Sequence, residues 1–380
     1  MTDVLIYADS LRSPEMRHEV PLSVPDPFLY AEHDGRRSAA AVSYEVDRIR
    51  EATDVDVFPY EELGLDELLR SGMPRDEINL ELLLRACRRL GVTSAAVPAT
   101  FPLEVADHLR ANGIDLAVDR TLFEQRRRVK NDAELAGIRR AQRAAEAGME
   151  AARQLLRRAA SRNGSLVVDG EPLTCERLKI AVGQAFTEHD ASADEMVVSH
   201  GPQTAVGHEM GSGAIAPEEP VVLDLFPRDR ESACFADMTR TFVVGTPPPE
   251  LAEYHRLTLE ALEGALAGVR AGVVGNDLHV QTCELFQAHG YPTQLSKEPG
   301  TVLADGFFHG LGHGVGLEVH EKPSLSMTRE DPLVAGDVIT LEPGLYRRGF
   351  GGCRLEDLVL VTENGAENLT DYPYDLTPAA

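Results

Sequence analysis

Residues 308–323 read FHGLGHGVGLEVHEKP, with histidines at 309, 313 and 320. Imidazoles at this density suit a metal site, a catalytic strand, or glycine-rich packing that happens to hold them. His309 and His313 are four apart, which would put both on one face of a helix. Gly310, Gly312, Gly314 and Gly316 alternate through the same stretch, and each would cost about 1 kcal/mol in a helix interior. An extended chain is expected instead. Residues of equal parity then share a face, so His309 and His313 are predicted to point one way and His320 the other. On that reading one strand cannot aim all three at one ion, and any ligands beyond His313 come from elsewhere in the chain.

Four acids stand out against apolar surroundings. Asp224 interrupts VVLDLF and Asp237 lies just before MTRTFVVG. The polar PRDRES between them resembles a hairpin loop, so the two carboxylates are expected to face each other across a strand pair. Glu342 in VITLEPG and Glu356 in CRLEDLVLV repeat the arrangement, joined by the glycine-rich LYRRGFGG. A buried carboxylate needs a cation or several donors, because unpaired burial costs several kcal/mol. Arg240 and Arg354 offer a purely structural neutralisation. Two arginines cannot balance four carboxylates, whereas two divalent ions sharing bridging carboxylates can, with an imidazole as a further ligand.

The elements that must hold these groups divide in two. Residues 1–127 alternate apolar runs and helical patterns: VLIYADS, AAAVSY, TSAAVPAT and IDLAVD read as strands, LDELLRSG, LELLLRACRRLG and PLEVADHLRANG as helices. That predicts a modest α/β domain. RTLFEQRRRVKNDAEL is a composition shift, and Asn131 with Glu134 has the spacing of a capping box. Leu135, Ile138, Ala141, Ala145, Met149, Ala152 and Leu156 then recur at helical spacing. The second domain, 128–380, mixes helices with strand pairs and is expected to be α+β. PPPELAEYHRLTLEALEGALAGVRAG is read as one helix entered through prolines and left at Gly272, and NDLHVQTCELFQAHG as another.

The formal charge is −25, from 62 acidic and 37 basic side chains. It argues against a nucleic-acid partner, which needs a basic face, and against an anionic membrane surface. The five cysteines (87, 175, 234, 283, 353) are scattered without C-x-x-C, as in a reduced protein. No signal peptide is evident in MTDVLIYADS, and no run of about 18 apolar residues would span a bilayer. A soluble cytoplasmic protein is expected. HEMGS and HEKPS begin like a zincin motif, but Ser212 and Ser324 hold the second-histidine positions. P-loop, dinucleotide and nucleophile-elbow signatures are missing.

HGLGHGVGLEVHEKP, TLEPGLY, RLED and FADMTRT resemble the Xaa-Pro peptidases: prolidase, aminopeptidase P and their relatives in the methionine aminopeptidase superfamily. The resemblance is close over residues 128–372; the first domain matches only in size and α/β character. It implies a pita-bread catalytic domain preceded by a smaller domain that shapes access to the active site. It further implies two divalent ions, Mn²⁺ first and Co²⁺ or Zn²⁺ as alternatives, a proline-containing peptide as substrate, and a homodimer.

By the same resemblance Asp224 holds one metal alone, Asp237 and Glu356 bridge both, and His313 and Glu342 complete the second. Glu342 also serves as proton acceptor and donor. His320 touches substrate and steadies the developing oxyanion. His208, in TAVGHEMGSG, approaches the scissile bond from a loop. His309 lines the pocket, and Arg354 orients Glu356. Asp224 and Asp237 are two residues further apart than is usual in the family, and the extra pair is expected in PRDRES. Substrate range would change if that loop bordered the pocket. Three rivals share the superfamily: a methionine aminopeptidase, a metal-free creatinase-like hydrolase, and a protein-binding module without metal ligands. The complete ligand set counts against the last two.

Overall fold

The computed structural model describes residues 2–329 and 331–378, and the chain forms two compact units, Met1–Arg127 and Arg128–Ala380. Among the described residues no helix is long and apolar enough to cross a membrane.

The first unit is built on a six-stranded sheet: β1 (Val4–Ala8), β2 (Phe28–His33), β3 (Arg36–Ala41), β4 (Asp56–Pro59), β5 (Ser94–Val97) and β6 (Asp115–Val118), ordered β4-β3-β2-β1-β5-β6. Only β2 runs against its neighbours. Alternate residues feed separate cores on the two faces, Leu5, Leu29 and Ala40 on one and Ile6, Tyr30 and Ala41 on the other. Two strands escape the sequence reading. β2 pairs with β3 through an Asp34-Gly35 turn with both φ positive, 49° and 74°, the chemistry of a tight hairpin; β4 is only four residues long. AAAVSY is corrected too: β3 ends at Ala41, and Val42 caps a helix spanning Ser43–Ala52.

The second unit opens with a 27-residue helix, Asp132–Arg158. Both halves of its capping box form, Glu134 N donating to Asn131 Oδ1 and Asn131 N to Glu134 Oε2, each at 2.9 Å. The expected apolar face, Ile138 to Leu156, is buried. The helix read as leaving at Gly272 instead spans Pro249–Gly268. Beyond it the backbone bonds other segments: Ala271 N donates to Thr362 O and Gly272 N to Leu333 O, and those bonds replace helical ones.

Two antiparallel sheets frame the site. One contains Val197–His200, Pro220–Leu225 and Met238–Val243. The other runs Glu321–Leu325, Gly312–Gly314, Val338–Leu341, Asp357–Val361, Ala366–Asn368. Between Leu341 and Asp357 the glycine-rich segment folds into a ribbon of its own, Gly344–Arg347 against Gly351–Arg354. A bridge between Thr239 and Glu356 links the sheets.

Candidate metal centre

Strand registers bring the four acids together, though not as mutual partners. Asp224 lies opposite Thr239, while Asp237 stands one residue before its strand. The facing expected for the two aspartates is therefore corrected to adjacent positions around one cavity, which they line together. The intervening loop turns away. Arg228–Asp229 pairs with Ala191–Ser192, and Arg140 of the long helix grips Asp229 through two bonds of 2.9 and 2.8 Å. The cavity, about 730 Å³, is lined by Phe226 but by no residue of 227–236. The longer spacing thus packs against a helix and does not border the pocket.

The parity expected of the histidines fails, and the reason is local. The strand holding His313 is three residues long, with a register shift after His313, and the chain reverses so that Gly314 pairs with Glu321. His313 and His320 therefore meet, ring centroids 4.2 Å apart. The glycines serve close backbone approach: a Cβ on Gly312 would lie 2.0 Å from Thr340 O, and one on Gly314 2.2 Å from Lys322 O.

Asp237, His313 and Glu356 offer ligand atoms all within 4.8 Å of one another. His313 Nδ1 donates to Gly314 O at 3.0 Å, which leaves the Nε2 lone pair for a ligand. That Nε2 is 3.7 Å from both Asp237 Oδ2 and Glu342 Oε1. Asp237 Oδ1 is buried and accepts no hydrogen bond. Asp237 and Glu356 are 4% and 2% exposed. Burial, and then the neighbouring carboxylates, push both well above the carboxylate range. Burial likewise raises Glu342 to about 8, against the pull of Arg354, and pushes His313 down to about 4, mainly against charging.

The arginines do not resolve the crowding. Arg240 bonds Asp357 Oδ1 at 2.9 Å and the Glu356 carbonyl at 2.8 Å, reaching no carboxylate of the cluster. Arg354 does reach one, but it is Asp224 at 2.6 Å and not the expected Glu356. Glu356 instead accepts from the Thr239 hydroxyl at 2.6 Å, and Thr239 in turn accepts from Arg354 Nε at 3.2 Å. Oxygen-rich donors, a neutral imidazole and an unpartnered buried carboxylate oxygen are what divalent ions require, so the residues fit such ions.

His208, exposed on its loop, and His320 line the same cavity. His309 lines it too, yet both its nitrogens are engaged: Nδ1 donates to Gly310 O at 2.8 Å and Nε2 accepts from the Tyr346 hydroxyl at 2.9 Å. His309 thus takes its expected place in the pocket lining, with neither ring nitrogen free in this arrangement. Sequence reasoning overlooked Thr239 and Tyr346, although both stand inside the quoted motifs, FADMTRT and TLEPGLY. It also overlooked the apolar lining of Val197, Met210, Phe226, Phe308 and Val319.

Residues 136–363 match metallopeptidase family M24, a span that contains every residue named for the site. The chain belongs to that family. Over 179 residues, 47% of each chain, it is 37% identical to an Xaa-Pro dipeptidase of Pyrococcus furiosus. Over 256 residues, 67% of this chain and 66% of the other, it is 34% identical to an uncharacterized peptidase of Staphylococcus haemolyticus. The chain spans about half the length of the first of these and of an uncharacterized peptidase of Bacillus subtilis, 47% and 49%. In fold it is similar to an X-Pro aminopeptidase of Thermotoga maritima, with a TM-score of 0.75 at 24% identity over 99% of this chain and 95% of that one. An Xaa-Pro dipeptidase of Bacillus anthracis gives a TM-score of 0.77 at 22% identity over 99% and 94%. The family M24 fold, a pita-bread domain preceded by a smaller α/β domain, is therefore that of this chain.

Proposed function

We propose that this M24 protein is a dinuclear-metal peptidase cleaving the bond before proline at the N-terminus of dipeptides or short peptides. The observation that carries the reading is the convergence of Asp224, Asp237, His313, Glu342 and Glu356 on one cavity, with Asp237 Oδ1 unpartnered. The names of the Pyrococcus furiosus and Thermotoga maritima relatives support the substrate class. Those five residues would hold two ions, Asp237 and Glu356 shared between them, with Mn²⁺ favoured by oxygen-rich ligation. Such ions, when bound, acidify a water and polarise the scissile carbonyl.

The chain's own residues do the rest. Glu342 takes the proton of the attacking water and delivers it to the leaving nitrogen. His320 steadies the developing oxyanion, and His208 reaches the substrate from its loop. Arg354 acts at a distance, fixing Asp224 directly and Glu356 through Thr239. The proline nitrogen carries no N–H, so apolar lining such as Phe226 and Phe308 suits its ring better than a backbone acceptor would. The resemblance supports a homodimer, and the five buried free cysteines suit a reducing cytoplasm.

The test is metal-stripped protein titrated with Mn²⁺ and assayed on matched Xaa-Pro, Xaa-Pro-Yaa and Met-Ala-Yaa peptides. Cleavage before proline that returns with metal is expected, and the ratio of the first two rates separates dipeptidase from aminopeptidase. Metal binding without any cleavage would reject the substrate class. Failure to bind metal would reject the ligand assignment.

A further inference from the structure

The loop carrying His208 leaves the strand Val197–His200 and returns alongside it. Val198 N donates to Met210 O at 3.1 Å, and a Cβ on Gly211 would lie 2.0 Å from Val198 O, so the returning arm presses on the strand. His200 stands at the root of this loop. Its Nδ1 is 2.5 Å from Glu219 Oε1 and its Nε2 is 3.1 Å from the Ser212 carbonyl oxygen. Both neighbours are acceptors. A neutral imidazole has one N–H and one lone pair, so either tautomer leaves a lone pair against an oxygen. Only the imidazolium satisfies both.

Other groups meet the same arm. Gln203 pairs with Ser212, Nε2 donating to its carbonyl at 3.0 Å and Oε1 accepting from its N–H at 3.2 Å. From the helix Cys175–Glu188, Glu176 accepts from Gly213 N at 3.0 Å and Lys179 donates to Gly211 O at 2.8 Å. The charged groups around His200 are thus Glu219, Glu176 and Lys179. The hydrogen bond to Glu219 holds the imidazole above its ordinary pKa, against the burial that lowers it.

We propose that the His200 imidazolium is a positioning residue, fastening the returning arm of the His208 loop to Glu219, and that losing its proton releases Ser212 and loosens His208. The catalytic consequence rests on the peptidase reading; the latch does not. Because the folded pKa is raised, the latch is closed at and below the ordinary histidine range and opens as pH rises through the folded value.

The test follows full-length protein from about pH 6 to 9 by histidine NMR, by limited proteolysis of the 206–210 segment, and by kcat/KM of the Mn²⁺-loaded protein on an Xaa-Pro peptide. In wild type, nicking should rise several-fold and kcat/KM should fall about tenfold as His200 titrates, the loss of one charge-assisted hydrogen bond. Glu219→Gln should move all three transitions to lower pH. His200→Gln should be nicked readily at every pH. Nicking independent of pH, or transitions that stay in place in Glu219→Gln, would overturn the latch. If no peptide is cut at any pH, the peptidase reading fails while NMR and proteolysis still decide the latch.

Discussion

Tyr346 and Arg354 meet in a 3.1 Å hydrogen bond from guanidinium Nη1 to phenol oxygen, and the same hydroxyl donates to His309 Nε2 at 2.9 Å. Arg354 goes on to Asp224 and Thr239, and Thr239 to Glu356, so one phenol joins a half-buried histidine to two carboxylates of the cluster. Tyr346→Phe keeps the ring packed on Phe308, 4.8 Å between centroids, and deletes only the relay. Peptidase kcat should fall about 10- to 100-fold, the scale of a hydrogen bond to a charged group. Thermal stability should change little. Unchanged kcat with normal metal content would remove Tyr346 from the machinery.

The crowded carboxylates make a two-sided prediction about metal. Asp237→Asn removes an acid whose ionisation burial and its neighbours already oppose, so in chelator the variant should be at least as stable as wild type. With Mn²⁺ about a thousandfold above Kd, wild type should gain about 4 kcal/mol and the variant much less. Melting curves with and without metal check both arms. A variant destabilised in chelator and still stabilised by metal would mean that Asp237 is structural.

Much of this was legible because it is local or compositional. The cap at Asn131 needs only a spacing of three, and acids within apolar strands are conspicuous in any sequence. What was hidden depends on how the chain folds back. Parity separates His313 from His320 only if the strand continues, and it stops at Gly314. Arg354 is two residues from Glu356, yet its side chain lies along a strand face that meets Asp224, 130 positions away. The strands Phe28–His33 and Asp56–Pro59 are half-hidden by turn residues and shortness, and only the sheet around them makes them strands.

Asn131→Ala should destabilise the protein by about 1 kcal/mol, the usual value of an N-cap. The side chain satisfies Glu134 N, whereas the reciprocal bond to the Glu134 carboxylate comes from the residue-131 backbone N–H, which alanine keeps. Asn131→Asp should retain most of that stability, since the same bond can form and a negative charge suits a helix N-terminus. Denaturant melts of the two variants check this; equal losses would show that the cap contributes nothing.

Asp229 gives the acid limb of stability. Burial alone would raise its pKa, but the bonds from Arg140 and Ser232 outweigh that and hold it below the ordinary carboxylate value. A group depressed in the folded state stabilises fully above its unfolded pKa, about 3.9, and loses that contribution as pH falls through the folded value. Asp229→Asn should therefore cost about 1–3 kcal/mol at pH 7, with the gap to wild type closing below about pH 4. Because the loop docks on the helix Asp132–Arg158 and not on the cavity, kcat/KM should be unchanged where the variant is folded. A gap that stays constant down to the acid transition would show that the Arg140–Asp229 pair does not stabilise the loop through its charge.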